Sequence, residues 1–173
     1  MQTALAELMN YEKKKDDKVQ AHILLDSGSQ RTYIAKEVAD KLDLKAVNKS
    51  FLTIYTFGMT KPRCIVTKVV EVDIVLKSGF RTTIKANIVP EVTGTIEKRP
   101  IQSKTIKKTL EQYELADKVS MKVESYTIDL LIGNDYYADI VSMNRTKLSD
   151  GLYLISSNRK QWIQHIQFDT VNL

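Results

Sequence analysis

The residues best suited to chemistry are the triplet Asp26-Ser27-Gly28, which follows an apolar-rich run from Val19 to Leu25. Each residue type has a use there. A carboxylate can act as general base on a water or, when protonated, as general acid toward a carbonyl and a leaving amine. The Ser27 hydroxyl can brace a facing loop. Gly28 lets the backbone approach the carboxylate and sets an N–H beside it. Cleaving a peptide bond in this way takes two carboxyls in unequal protonation states. Two such groups about 3 Å apart cannot both ionise, so they share one proton and titrate as a unit.

The chain has one such triplet. Asp169-Thr170 is followed by Val171, and Asp150-Gly151 lacks the hydroxyl residue. A second carboxylate must therefore come from another chain. Isologous twofold pairing is the simplest arrangement that sets Asp26 against its own copy. Taken alone, Asp-Ser-Gly is also a common turn, so the elements around it decide how it reads.

A strand that breaks at Asp-Ser-Gly is a strand-to-turn signal. Ile34, Val38 and Leu42 then recur at helical spacing, with Ala35 and Ala39 beside them. This predicts a helix capped by Ser29 or Thr32 and ending near Leu42–Leu44. Residues Phe51–Tyr55, Cys64–Leu76 and Phe80–Val89 read as strands from their β-branched content. Val70, Val72, Ile74 and Leu76 alternate with Glu71, Asp73 and Val75, which predicts a strand with one wetter face. Phe57-Gly58-Met59-Thr60 reads as a hairpin tip, and Lys77-Ser78-Gly79 as a second hairpin turn. Ile128 to Ile132 is a buried-strand pattern that stops at Gly133, with Asn134 or Asp135 placed to cap a short helix over Tyr136–Val141. Leu152–Ile155 reads as a last strand after the turn at Ser149-Asp150-Gly151.

The flanks are more polar. Residues 3–10 predict a short helix, and residues 11–18 an exposed, charged linker, so that 1–18 forms a charged N-terminal segment. Residues 91–125 form a long connection in which Ile106, Leu110 and Tyr113 hint at a helix. The domain is expected over 19–162, with 163–173 as a C-terminal tail.

The 173 residues suit one domain. No apolar run is long enough to span a membrane, and the N-terminus lacks a secretory h-region. The single cysteine, Cys64, excludes an internal disulfide and a cysteine-built zinc site, and it reads as a small buried hydrophobe, with an exposed redox-sensitive thiol as the alternative. An intracellular, reducing compartment is expected, with no cofactor and no metal. His22 and His165 lack metal-ligand spacing. The formal charge of +5 is modest, and the basic residues Lys13 to Lys15, Lys98, Arg99, Lys104, Lys107 and Lys108 are scattered. Direct nucleic-acid binding is not expected from them.

Two blocks carry a family resemblance. The first is Leu24-Leu25-Asp26-Ser27-Gly28-Ser29-Gln30-Arg31, with Tyr33-Ile34 and a helix end at Leu42-Asp43-Leu44. The second is Ile128-Asp129-Leu130-Leu131-Ile132-Gly133-Asn134-Asp135-Tyr136-Tyr137, preceded by Leu115-Ala116-Asp117. Together they resemble the retropepsin-like aspartic peptidase of BEL/Pao-type retrotransposon polyproteins. More loosely, they are similar to retroviral proteases and to the protease domain of the DNA-damage-inducible ubiquitin-shuttle proteins.

The resemblance implies a mainly β, retropepsin-like acid-protease β-barrel, with one helix after the active-site loop and a short one after Gly133. It implies a homodimer with Asp26 as each subunit's catalytic residue, supported by Ser27 and Gly28. It implies a flap at Thr56–Pro62 whose Phe57, Gly58 and Met59 meet substrate, and Ile132-Gly133 packed under the active-site loop. Asp135 then braces the fold. The substrate would be an extended peptide of a Gag-Pol-like polyprotein, cut inside the cell or within virus-like particles.

Other readings remain open beside this one. A catalytically silent retropepsin-like module for dimerisation or binding would share the fold. A serine hydrolase using Ser27 or Ser29 would need a base, and the Gly-x-Ser-x-Gly elbow is absent. Lys98–Lys108 as a nucleic-acid face has no zinc knuckle or aromatic recognition motif to support it.

Overall fold

The computed structural model describes residues 2–13, 17–54, 60–75, 81–149, 152–157 and 165–168. The hairpin tip expected at Phe57-Gly58-Met59, the turn at Lys77-Ser78-Gly79 and Trp162 lie outside these residues.

The protein is mainly β. In chain order the elements are β1 (Gln2–Met9), β2 (Lys18–Leu25), β3 (Tyr33–Ala35), α1 (Lys36–Lys41), β4 (Ala46–Ile54), β5 (Arg63–Val75), β6 (Arg81–Val89) and β7 (Ile96–Lys98). They continue with α2 (Lys104–Leu110), β8 (Glu124–Tyr126), β9 (Leu130–Ile132), α3 (Asn134–Ile140), β10 (Val141–Ser149), β11 (Leu152–Ser157) and β12 (His165–Phe168).

Seven strands form one sheet in the order β1-β2-β9-β3-β6-β5-β4, and β1 pairs with β5 as well as β2. Six strands thus close into a ring, and β4 extends outward from β5. Leu8, Ile23, Ile34, Val70, Val72, Ile74, Leu130 and Ile132 fill the ring, and each is essentially inaccessible to solvent. Strands β10, β11 and β12 form a second sheet, and β7 pairs with β8.

The helix expected over residues 3–10 is strand β1. Ala, Leu, Glu and Met favour helix in isolation, yet β1 lies between β2 and β5, with Leu8 opposite both Val19 and Ile74. Two ladders and a buried face outweigh a propensity of a few tenths of a kcal/mol per residue. The same segment is pinned by Leu5 N–H donating to Ala116 O at 2.8 Å and by Thr3 Oγ1 donating to Asp117 at 2.9 Å. Within the expected C-terminal tail, β12 pairs with β11.

The helix expected from Ser29 or Thr32 starts later. Tyr33 and Ile34 pair with Asn87 and Ile88 on one side and with Leu131 and Leu130 on the other, so they are strand. The α1 N-cap is Ala35, without a side-chain cap. Asp43, at φ 49°, turns the chain at the end of α1, where Leu44 N–H reaches Ala39 O at 3.0 Å. After Gly133, which is itself the N-cap of α3, neither Asn134 nor Asp135 caps the helix.

The wetter face expected of β5 is dry at one position. Asp73 is fully buried, and it accepts from Arg81 Nε and, at 2.5 Å, from Thr83 Oγ1. A buried carboxylate is tolerable because it is paired and hydrogen-bonded. Cys64, expected in the core, is exposed on the part of β5 that runs alongside β4.

Candidate active site

Asp26 emerges where β2 ends. Strand β9 lies beside β2 in parallel, with Leu24 opposite Leu131 and Leu25 opposite Ile132. The ladder runs one residue further, since Asp26 N–H donates to Ile132 O at 3.0 Å. On its other edge β9 pairs antiparallel with β3. The loop 26–32 therefore leaves the sheet on one side of β9 and re-enters on the other, straddling it. Both ends of the loop are held by the same three-residue strand, whose Leu130, Leu131 and Ile132 are all buried.

The loop is fixed by hydrogen bonds that close on themselves. Gly28 N–H donates to Asp26 Oδ1 at 2.9 Å, and Ser29 N–H donates to Asp26 O at 3.3 Å. Ser29 Oγ donates to Arg31 O at 2.8 Å, and Ser29 O accepts from Asn134 N–H at 2.7 Å. A Cβ at position 28 would stand 3.2 Å from Asp26 Oδ1, so glycine suits the close approach of backbone to carboxylate. Asp26 is half-buried, and Ser27 and Gly28 are exposed. The carboxylate therefore stands on a rigid apolar base and faces outward.

Gly133 packs directly beneath the loop. A Cβ there would lie 2.3 Å from Arg31 O and 2.6 Å from its carbonyl carbon. Its N–H donates to Thr32 Oγ1 at 3.1 Å. Thr32 is fully buried, and Asp135 clamps it twice, accepting from Thr32 N–H at 3.0 Å and from Thr32 Oγ1 at 2.7 Å. Asp135 therefore braces the loop. Thr32, read from the sequence only as a helix cap, is the hub between the loop and α3. Its signal was the pairing of a hydroxyl six residues after Asp26 with an acid two residues after Gly133, visible only once the two blocks are set side by side. Burial raises the pKa of the neighbouring Tyr33; the Arg31 charge opposes that shift and the Asp135 charge adds to it.

Removing the clamp should be measurable. Asp135→Ala leaves the buried N–H and hydroxyl of Thr32 without their acceptor, and each unsatisfied group costs about 1–3 kcal/mol. A loss of about 2–3 kcal/mol in urea denaturation is expected, against a change within about 0.5 kcal/mol for Asp139→Ala on the exposed side of the same helix.

His22 is not placed to activate Ser27 or Ser29. Its ring stacks on Tyr126, with centroids 4.2 Å apart and planes 18° from parallel. Its Nδ1 is buried with no hydrogen-bond partner among the described residues. Asp129 is occupied as well, since Oδ2 accepts from His22 N–H at 2.7 Å. In the basic cluster of the long connection, Lys98 pairs with Asp117 at 2.8 Å and Arg99 with Glu97 at 3.4 Å. Among the described residues no group of three or more His, Cys, Asp or Glu could hold a metal ion. None of the described helices is long and apolar enough to cross a membrane.

The chain is thus mainly β and presents the Asp26 carboxylate on a loop braced across its sheet. Residues 8–167 match the model of the family described as Putative peptidase (DUF1758). The chain belongs to that family. No curated protein matches it.

Proposed function

We propose that the protein is an aspartic endopeptidase of the retropepsin-like, barrel-forming kind, active as a homodimer in which two Asp26 carboxylates hold and activate one water. The observation that carries this reading is the setting of Asp26 in a chain of a peptidase family. Its N–H is tied to Ile132 O and its Oδ1 to Gly28 N–H, while the side chain remains half-exposed. One Asp-Ser-Gly per chain means that the second carboxylate comes from a second copy.

In the mechanism, the ionised carboxylate takes a proton from the water as it attacks the scissile carbonyl. The protonated carboxyl polarises the carbonyl oxygen and then protonates the departing amine. The shared proton is essential, so activity falls on the alkaline side once both carboxyls ionise. Ser27 and Gly28 support the loop, and the Gly28 N–H orients one carboxylate oxygen. The segment Phe57-Gly58-Met59 covers an extended substrate held strand-like, with side chains in alternating pockets. A polyprotein of the chain's own element is the natural substrate that the sequence resemblance implies.

Cleavage of a mixed peptide library at mildly acidic pH tests the reading. Specific activity should rise faster than linearly with protein concentration near the dimer dissociation constant, because half a site has one carboxyl. Constant specific activity from a protein shown to be monomeric by sedimentation would overturn the shared site. A folded dimer that cleaves nothing would make the protein a silent binding module of the same fold.

A further inference from the structure

Two stretches of the chain, 44–70 and 98–110, each hold five cations and no acidic residue. Residues 44–70 hold Lys45, Lys49, Lys61, Arg63 and Lys68 and no acidic residue. All five cations are exposed, and none pairs with a carboxylate among the described residues. In the second stretch Lys98 and Arg99 are each paired with an acid, and Lys104, Lys107 and Lys108 lie on α2.

These cations belong to a projecting two-stranded arm. Strand β5 pairs with β6 only from Val69 onward, whereas β4 follows it down to Arg63. Over Ser50–Ile54 and Arg63–Thr67 the ribbon thus stands beyond β6. Cross-strand partners share a face, and on one face the successive pairs are Lys49 with Lys68, Phe51 with Val66 and Thr53 with Cys64. Phe51 is 84 % exposed and Val66 59 % exposed. The other face is the covered one, with Leu52 and Thr67 buried. An aromatic ring is therefore displayed on the exposed face of the ribbon, beside a cross-strand pair of lysines, in a stretch of chain without an acidic residue.

We infer that this face binds single-stranded nucleic acid, with Phe51 stacking on a base and Lys49 and Lys68 meeting the flanking phosphates. A ribbon of cations around an exposed aromatic supplies the two things a single strand needs, a positive track for the backbone and a π-face for its bases. An acidic peptide would satisfy the charge, but it would leave the central ring without a matching surface. Binding of this kind is salt-dependent and tolerant of sequence. Phe51, Lys49 and Lys68 are not part of the Asp26 loop, and they lie on the strands that lead to and from the 57–59 segment proposed above to meet substrate.

Fluorescence anisotropy of a labelled oligothymidylate titrated with the full chain at low salt is the test. Saturable binding is expected, weakening steeply as salt rises. Phe51→Ala should weaken it about tenfold, the scale of one lost stacking contact. The double variant Lys49→Glu, Lys68→Glu should abolish it. Asp26→Asn should bind like the wild type, so this result is separate from that of the protease reading. Exposed side chains change here, so the circular dichroism melts of the variants should superimpose on the wild type. No binding at low salt, undiminished binding by the arm variants, or equal affinity for a labelled polyglutamate peptide would overturn the proposal. So would loss of binding on replacing Lys104, Lys107 and Lys108 while the arm is intact.

Discussion

If the proposed dimeric aspartic site is right, Asp26→Asn is expected to lower peptide cleavage by about 10³-fold or more while leaving the fold and the oligomeric state unchanged. General acid–base groups contribute about 10²–10⁴-fold, and in the proposed site the substitution removes both roles at once because each subunit would supply the same residue. The fold should survive because asparagine keeps the Oδ1 that accepts from Gly28 N–H, and the tie from residue 26 N–H to Ile132 O is made by backbone. Library cleavage and a denaturation curve on the same preparation check both halves. Cleavage retained to within a few-fold would remove Asp26 from the chemistry. Cleavage and stability lost together would make its role structural.

Gly133→Ala should destabilise the protein by about 3 kcal/mol or more. The new methyl would lie 2.3 Å from Arg31 O, and the obstacle is backbone, which cannot swing aside as a flexible side chain can. Moving Arg31 would also disturb the bond from Ser29 Oγ to Arg31 O and the adjacent Thr32. Gly94→Ala is the control, since nothing lies within 4 Å of a Cβ at that position, and a change within about 0.5 kcal/mol is expected. Equal midpoints in urea for the two variants would mean that the loop and β9 can separate at little cost. If Gly133→Ala folds at all, its activity should fall too, because the loop that carries Asp26 rests on this contact.

The two blocks that carry the site were legible because each is a local signal. Val19 to Leu25 reads as strand from its apolar run, and Asp-Ser-Gly reads as its break. Leu130 to Ile132 reads as buried strand up to a glycine, and α2 and α3 followed from apolar spacing and from the stop at Gly133. The errors fell where a local preference met a distant partner. Residues 3–10 favour helix, but β2 and β5 recruit them as the strand that closes the ring. Tyr33 and Ile34 sit on a helical period, but β6 and β9 take them into the sheet. Asp73 alternates as a solvent-facing residue should, yet Arg81 and Thr83 allow it to be buried. Cys64 is apolar enough for a core, but its stretch of β5 lies on the projecting ribbon.

Asp26-Ser27-Gly28 could be singled out as the candidate site from the chain alone, because residue type and a turn signal are properties of adjacent positions. The sequence also determined that each chain has one Asp-Ser-Gly. Only the tertiary structure decided how Asp26 is held. Its loop straddles β9, which lies more than 100 residues further along the chain, and the bonds that fix the loop run from Gly133 and Asp135 to Thr32. Such contacts depend on which strands become neighbours. That choice is made by burying the apolar faces of β2, β3 and β9 against one core, a cooperative outcome that no local window of the chain encodes.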